Sequence, residues 1–274
     1  AYYHFNLIRK WGPIPIIRES LPIDADVNQV RVYRDPIDDC FDFVLELLDE
    51  AIPDLPLVNP SVDEYGRINQ IIAASLKAKV SVFAASPLFN NNVDQAPLVD
   101  SRGVQLFAQN KSEEEKLQRW EVAMEACKAA IDLCSVANVK LYKYNNEYRV
   151  NDTLYLDFTL RGMMCNRWNE EIIWGNTQSS ATQLSMWQQL TAPNLQYKTL
   201  GWTASLSNWG FIGVPLKIAE QFYTKNGLPI NFDSDRRGMD EYALRNGDKD
   251  HAYYLQEGYT TIQLNFDREP RFYA

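Results

Sequence analysis

The sequence predicts a mainly α-helical protein: a stack of helices followed by a more irregular region. Three observations carry that prediction. The stretch Glu64–Asn90, EYGRINQIIAASLKAKVSVFAASPLFN, is apolar or small nearly all the way round. Ile72, Leu76, Val80 and Phe83 fall on one helical face, and Ala74, Ala78 and Ala85 offer a second, flat face to another backbone. A helix buried on two sides belongs inside a stack of helices. The third observation is a change of character near Tyr142, after which Asn, Thr, Ser, Gln and Trp replace helical periodicity.

The elements follow in order. Ala1–Trp11 reads as helical from its first residue, and Pro13 and Pro15 then set an extended stretch. A second helix is expected with Asp35 as N-cap and Pro36 in its first turn. Asp38 and Asp39 sit where the helix dipole favours negative charge. Ile37, Phe41, Leu45, Leu48 and Ile52 form its buried stripe, and Pro53 and Pro56 end it. The Glu64–Asn90 helix comes next and stops at Pro87, which lacks an N–H. After a loop, another helix is expected over 113–134. Its stripe is Trp120, Met124, Cys127, Ile131 and Cys134, with Ala123, Ala126, Ala129 and Ala130 for close packing. Paired helices with small contact residues suggest degenerate tetratricopeptide-type pairs.

The expected division is therefore a helical scaffold over 1–141 and an irregular ligand-binding region over 142–274. Short β-like runs such as Glu171-Ile172-Ile173-Trp174 are expected in the second part. One further helix is expected near 214–225, burying Ile218, Ala219, Phe222 and Tyr223. Turn signals follow at Asn246-Gly247 and Glu257-Gly258.

Composition excludes several classes. The 274 residues are 46% hydrophobic, as in a protein with a sizeable core, but no apolar run approaches the length of a membrane span. A net charge of −9 and the lack of Lys/Arg clusters speak against nucleic acid. Cys40, Cys127, Cys134 and Cys165 form no CxxC pair and read as small apolar residues, with no redox or metal role indicated. His4 and His251 lack ligand spacing, and no cofactor is expected. Both ends of the sequence look like cuts in a longer chain.

Several blocks, in order, resemble the SusD/RagB family. They are AYYHFNLIRKWGPIPII, DPIDDCFDFVLELLDEAIPDLP, GRINQIIAASLKAKVSVFAASPLFN, RWNEEIIWGNT, FYTKNGLPIN and DREPRFYA. The resemblance implies a right-handed helical scaffold of tetratricopeptide-like pairs with an irregular ligand-binding region. It implies a non-catalytic glycan-binding lipoprotein at the outer-membrane cell surface, part of a polysaccharide-utilisation system. Its lipid anchor would lie outside this sequence, which reads as a central fragment. The implied partner is a SusC-like TonB-dependent transporter, to which captured oligosaccharides are delivered.

Five of the seven tryptophans fall between Trp168 and Trp209. An indole face can cover the C–H face of a pyranose while hydroxyls reach nearby polar groups. Trp168 and Trp174 lie in an apolar, strand-like block and are expected in the core. Trp187, Trp202 and Trp209 lie among Ser, Thr, Gln, Asn and Gly, a context that suits ligand contact, with Tyr197 and Asn208 as weaker candidates. A glycosidase would need two carboxylates at a set separation. Glu170-Glu171 alternate faces on a strand, and Asp233, Asp235, Asp267 and Glu269 read as a solvated charged surface. Asp233 and Asp235 are only a faint calcium signal. The rival readings are a peptide-binding lid of the same fold, a helical adaptor with buried tryptophans, and an enzyme.

Overall fold

The structure is a computed structural model that describes residues 1–145, 147–177, 186–187, 189–192 and 209–274. The described fold is mainly helical, with one two-stranded ribbon. It divides into two compact units, residues 1–141 with 170–177, and residues 142–169 with 178–274.

The first unit is a run of packed helices. α1 (Tyr2–Trp11) buries Phe5 and Ile8. A single turn, α2 (Val27–Val30), lies in the extended stretch that follows. α3 (Ile37–Ala51) buries Ile37, Phe41, Val44 and Leu48, as its periodicity requires. Its N-cap is Pro36, not Asp35. The Asp35 carboxylate instead accepts the Ile16 N–H at 2.7 Å and holds the extended stretch against the helix start. α4 (Gln70–Ala85) is shorter than the expected Glu64–Asn90 helix. Glu64 belongs to a separate 3₁₀ turn, and Asn69 caps α4 by accepting the Ile72 N–H at 3.0 Å. At the other end Ser86, which precedes Pro87, is already extended. The core joins Phe5, Phe41, Val44, Val80, Phe89 and Leu106. Within it Phe41 meets Phe89 edge-on at 5.1 Å.

α5 (Glu113–Val136) starts at Ser112, which forms a capping box with Glu115. It packs on α4 around a cluster of alanines: Ala74 and Ala78 meet Ala126 and Ala130, with Cys127 and Leu133 packed alongside. Lys111 reaches Asp38 at 2.8 Å and Arg119 reaches Asp42 at 2.5 Å, tying the helix start to α3. The expected stripe of large residues is not the buried face. Met124 is 64% exposed and Ile131 65%, while Cys127 and Cys134 are half-buried. Backbones that approach through alanine leave no room for a second row of large side chains.

In the second unit, α6 (Asp152–Cys165) occupies chain that read as irregular. Asn151 caps it by accepting the Leu154 N–H at 2.9 Å. Gly162 lets Tyr142 lie against the helix: a Cβ there would fall 2.8 Å from the Tyr142 ring. The helix expected near 214–225 is one turn, α7 (Leu216–Ala219), with Ile218 and Tyr223 exposed. At and beyond its end the chain's carbonyls are bonded by a side chain. The Arg268 guanidinium donates to the carbonyls of Ala219 (2.9 Å), Phe222 (2.5 Å), Tyr223 (3.3 Å) and Leu264 (2.9 Å). β1 (Leu244–Asn246) pairs antiparallel with β2 (Thr260–Ile262), Arg245 opposite Thr261. α8 (Pro270–Tyr273) closes the chain. The expected β-like run at 171–174 is turn and bend; its Trp174 Nε1 donates to the Gly66 carbonyl at 3.1 Å, inside the first unit.

His251 lies between two carboxylates, with Nδ1 at 2.5 Å from Asp248 and Nε2 at 3.3 Å from Asp267. Burial opposes its charged form, but the bonds to both carboxylates outweigh that and raise its pKa above 6.5. The same contact to His251 holds Asp248 down at about 2. Burial also works against the Asp267 carboxylate, yet Lys225 and His251 keep its pKa below the ordinary 3.8.

Two outcomes follow for stability. Ala126→Leu should cost about 1–3 kcal/mol by forcing α4 and α5 apart, read by urea denaturation. The raised His251 pKa contributes stability that is full below pH 6.5 and lost as pH rises through the folded value. The depressed carboxylates contribute above pH 3.8 and lose it as pH falls. Wild type should therefore exceed His251→Gln in Tm most between about pH 4 and 6.5, with the gap narrowing by pH 8. His4, whose pKa burial lowers, is common to both proteins and cancels. An equal gap at pH 5.5 and pH 8 would rule the His251 linkage out.

Candidate functional site

Two of the five predicted binding residues, Trp187 and Trp209, lie in the described part of the second unit, and both are open to solvent. Trp187 is 54% exposed and Trp209 39%. Tyr197, Trp202 and Asn208 lie outside the described residues.

The backbone brings the two indoles onto neighbouring segments. The Trp209 N–H donates to the Gln189 carbonyl at 2.7 Å, and the Ile212 N–H donates to the Leu190 carbonyl at 3.0 Å. Gln189 is two residues beyond Trp187 in a helical stretch, where Thr191 Oγ1 also donates to the Trp187 carbonyl at 2.9 Å. The segment carrying Trp209 is thus laid against the segment carrying Trp187 by main-chain bonds, and the rings remain outside that ladder.

Sequence reasoning missed Phe211. Its ring stacks on Trp209 with centroids 6.0 Å apart and planes 30° apart, and it is 78% exposed. Gly210 separates the two rings with φ +62°, the left-handed region that favours glycine. The signal was present as Trp-Gly-Phe, two rings flanking the one residue that turns freely. The result is an exposed aromatic pair on a pinned backbone, a surface suited to the flat C–H face of a ring ligand.

Trp168 and Trp174 are not core residues, contrary to the sequence expectation. Trp174 is 40% exposed, with one edge on Tyr2 at 5.1 Å. Trp168 is also exposed, at a positive φ of 53°. No strand forms there to carry them inward.

The acidic residues do other work. The buried Asp233 accepts from Thr224 Oγ1 (2.5 Å), Asn226 Nδ2 (3.1 Å) and the Asp235 N–H (2.9 Å). Those bonds, led by Thr224, hold its pKa below the ordinary carboxylate value. Its oxygens are occupied by protein donors, which does not suit a calcium ligand. Among the described residues no group of three or more His, Cys, Asp or Glu is placed to hold a metal. The Cys40 thiol, buried and donating to the Ile14 carbonyl at 3.3 Å, is pushed up to about 11 by that burial. Such a thiol is inert.

Comparison with known proteins fits this arrangement. Residues 170–274 match the SusD family model. The chain also superposes on a solved protein named BT4246 with a TM-score of 0.78 at 26% identity, over 99% of this chain and 46% of that one. The fold is SusD-like. A SusD-like protein (BF3747) from Bacteroides fragilis NCTC 9343 superposes with a TM-score of 0.58 at 17% identity, over 100% of this chain and 40% of the other. That likeness speaks to the fold. No curated protein matches. The chain spans about half the length of the solved proteins it matches. The family match covers the segment from Glu170 onward, which includes Trp187, Trp209 and Phe211.

Proposed function

We propose that this chain is the central part of a non-catalytic glycan-binding lipoprotein at the outer-membrane surface. It captures oligosaccharides and delivers them to a SusC-like TonB-dependent transporter. The observation that carries this reading is the exposed Trp209–Phe211 pair beside Trp187, inside the segment that matches the SusD family model. Sugar rings stack by their C–H faces on such indoles, while hydroxyls bond to neighbouring amides and carbonyls. Trp202, Tyr197 and Asn208 belong to the same proposed site. An adaptor that binds only protein would bury these indoles, and the exposure of Trp168, Trp174, Trp187 and Trp209 weighs against it. No helix among the described residues is long and apolar enough to cross a membrane.

Calorimetry on the full-length protein against a panel of polysaccharides tests the reading. Trp209→Ala and Trp187→Ala should each weaken binding of the recognised glycan by roughly tenfold, about 1.4 kcal/mol. If both variants bind as wild type does, the site lies elsewhere. If no glycan binds but oligopeptides do, the peptide-lid reading replaces this one.

A further inference from the structure

The second unit holds a cavity of about 510 Å³ that shares no lining residue with the tryptophan site. Its walls include the Tyr223 and Tyr242 rings, both exposed. Pro229, Ile230 and Leu264 supply an apolar floor. Glu220 and Glu241 line it, and among the described residues no lysine or arginine does.

The two carboxylates are not equivalent. Arg236, itself buried, donates to both oxygens of Glu241 and neutralises it from behind. Glu220 has no cationic partner among the described residues. Tyr242 Oη donates to Glu220 Oε1, which fixes the carboxylate and leaves Oε2 without a protein donor among the described residues. The side-chain amides of Gln221 and Asn231, which also line the cavity, have no partner there either. The field is negative: the bond to Glu220, burial, and the charges of Glu220, Glu241 and Asp240 all raise the Tyr242 pKa.

We infer that this cavity binds a primary amine carried on a compact body, with the ammonium on Glu220 and the body between the tyrosine rings. A single uncompensated carboxylate matches a single positive charge. Tyrosine faces attract ammonium groups through the ring quadrupole. The absence of a lining cation excludes anions, and the apolar floor receives the C–H surface of the ligand. Two sources share this chemistry: an amino sugar, whose hydroxyls would use Gln221 and Asn231, and a lysine side chain, whose methylenes would lie on Pro229 and Ile230. The inference does not depend on the tryptophan site.

The experiment is calorimetry or saturation-transfer NMR on the full-length protein with glucosamine, glucose and Nα-acetyl-lysine amide. The amines should bind at least tenfold tighter than glucose, and binding should weaken from 50 to 500 mM NaCl. Glu220→Gln, which keeps the shape of the side chain, should lose at least tenfold, and Tyr242→Phe should lose less. The tighter of the two amines names the source. Trp209→Ala should leave amine binding unchanged while reducing glycan binding, so that the two sites fail independently. Equal binding of glucose and glucosamine, no amine binding, or an unaffected Glu220→Gln protein would each overturn the inference.

Discussion

Residues 216–274 form two one-turn helices, a ribbon of three residues per strand and several 3₁₀ turns, so few of their carbonyls can be satisfied by regular structure. Buried backbone oxygens need donors all the same. Two buried guanidiniums supply them. Arg268 serves four carbonyls, drawn from the end of α7 and from the turn after β2. Arg236 serves Phe266 and Gln263 and pairs with Glu241. An arginine can do this because it carries five N–H donors in a planar fork; a lysine has three on a point charge. An aromatic ring covers one of these cations, with Phe272 4.6 Å from Arg268. Removing either guanidinium would strand several carbonyls at once, each costing about 1–3 kcal/mol.

This device has a consequence for the amine cavity. Leu264, whose carbonyl is held by Arg268, forms part of its floor, and Glu241, held by Arg236, forms part of its wall. The two arginines therefore set the shape of the cavity. By consuming the charge of Glu241 they leave Glu220 as its one uncompensated carboxylate. A binding surface built on so little regular structure keeps its geometry only because its backbone is bonded this way.

Much of the first unit was legible because helical periodicity reports burial directly. The stripe of α3, its acidic first turn and the alanine face of α4 all followed from the residues and their spacing. Periodicity says that a face is apolar, however, and not what will cover it. On α5 two faces competed: large residues at Trp120, Met124 and Ile131, and alanines at 123, 126 and 130. The alanines won α4, because a backbone can come closest there, and the larger face stays open. In the second unit the signals were long-range. Nothing near Leu216 says that Arg268 will bond the carbonyls of Ala219, Phe222 and Tyr223 at and beyond the end of α7, and nothing in the apolar run at 171–174 says that no partner strand will form. The polar context around Trp187 and Trp209 did point to exposure, whereas the apolar context around Trp168 and Trp174 misled. Phe211 escaped notice because the sequence reading followed the tryptophans, and its pairing with Trp209 across Gly210 lies in no helix or strand pattern.

An exposed aromatic pair normally collapses onto the nearest apolar surface, so the openness of Trp209 and Phe211 requires a cause. The main chain supplies it. Trp209 and Ile212 give their N–H groups to Gln189 and Leu190, which fixes the backbone on both sides of Phe211. Gly210, at φ +62°, lets the chain turn between the rings so that they stack on each other rather than fold inward. A side chain at 210 would strain that conformation and splay the rings. The ordering cost of the platform is thus met by backbone bonds before any ligand arrives, and a preorganised surface gives up less of its interaction energy on binding. The weak, open glycan site proposed here would need that preorganisation, and the backbone supplies it as much as the indoles do.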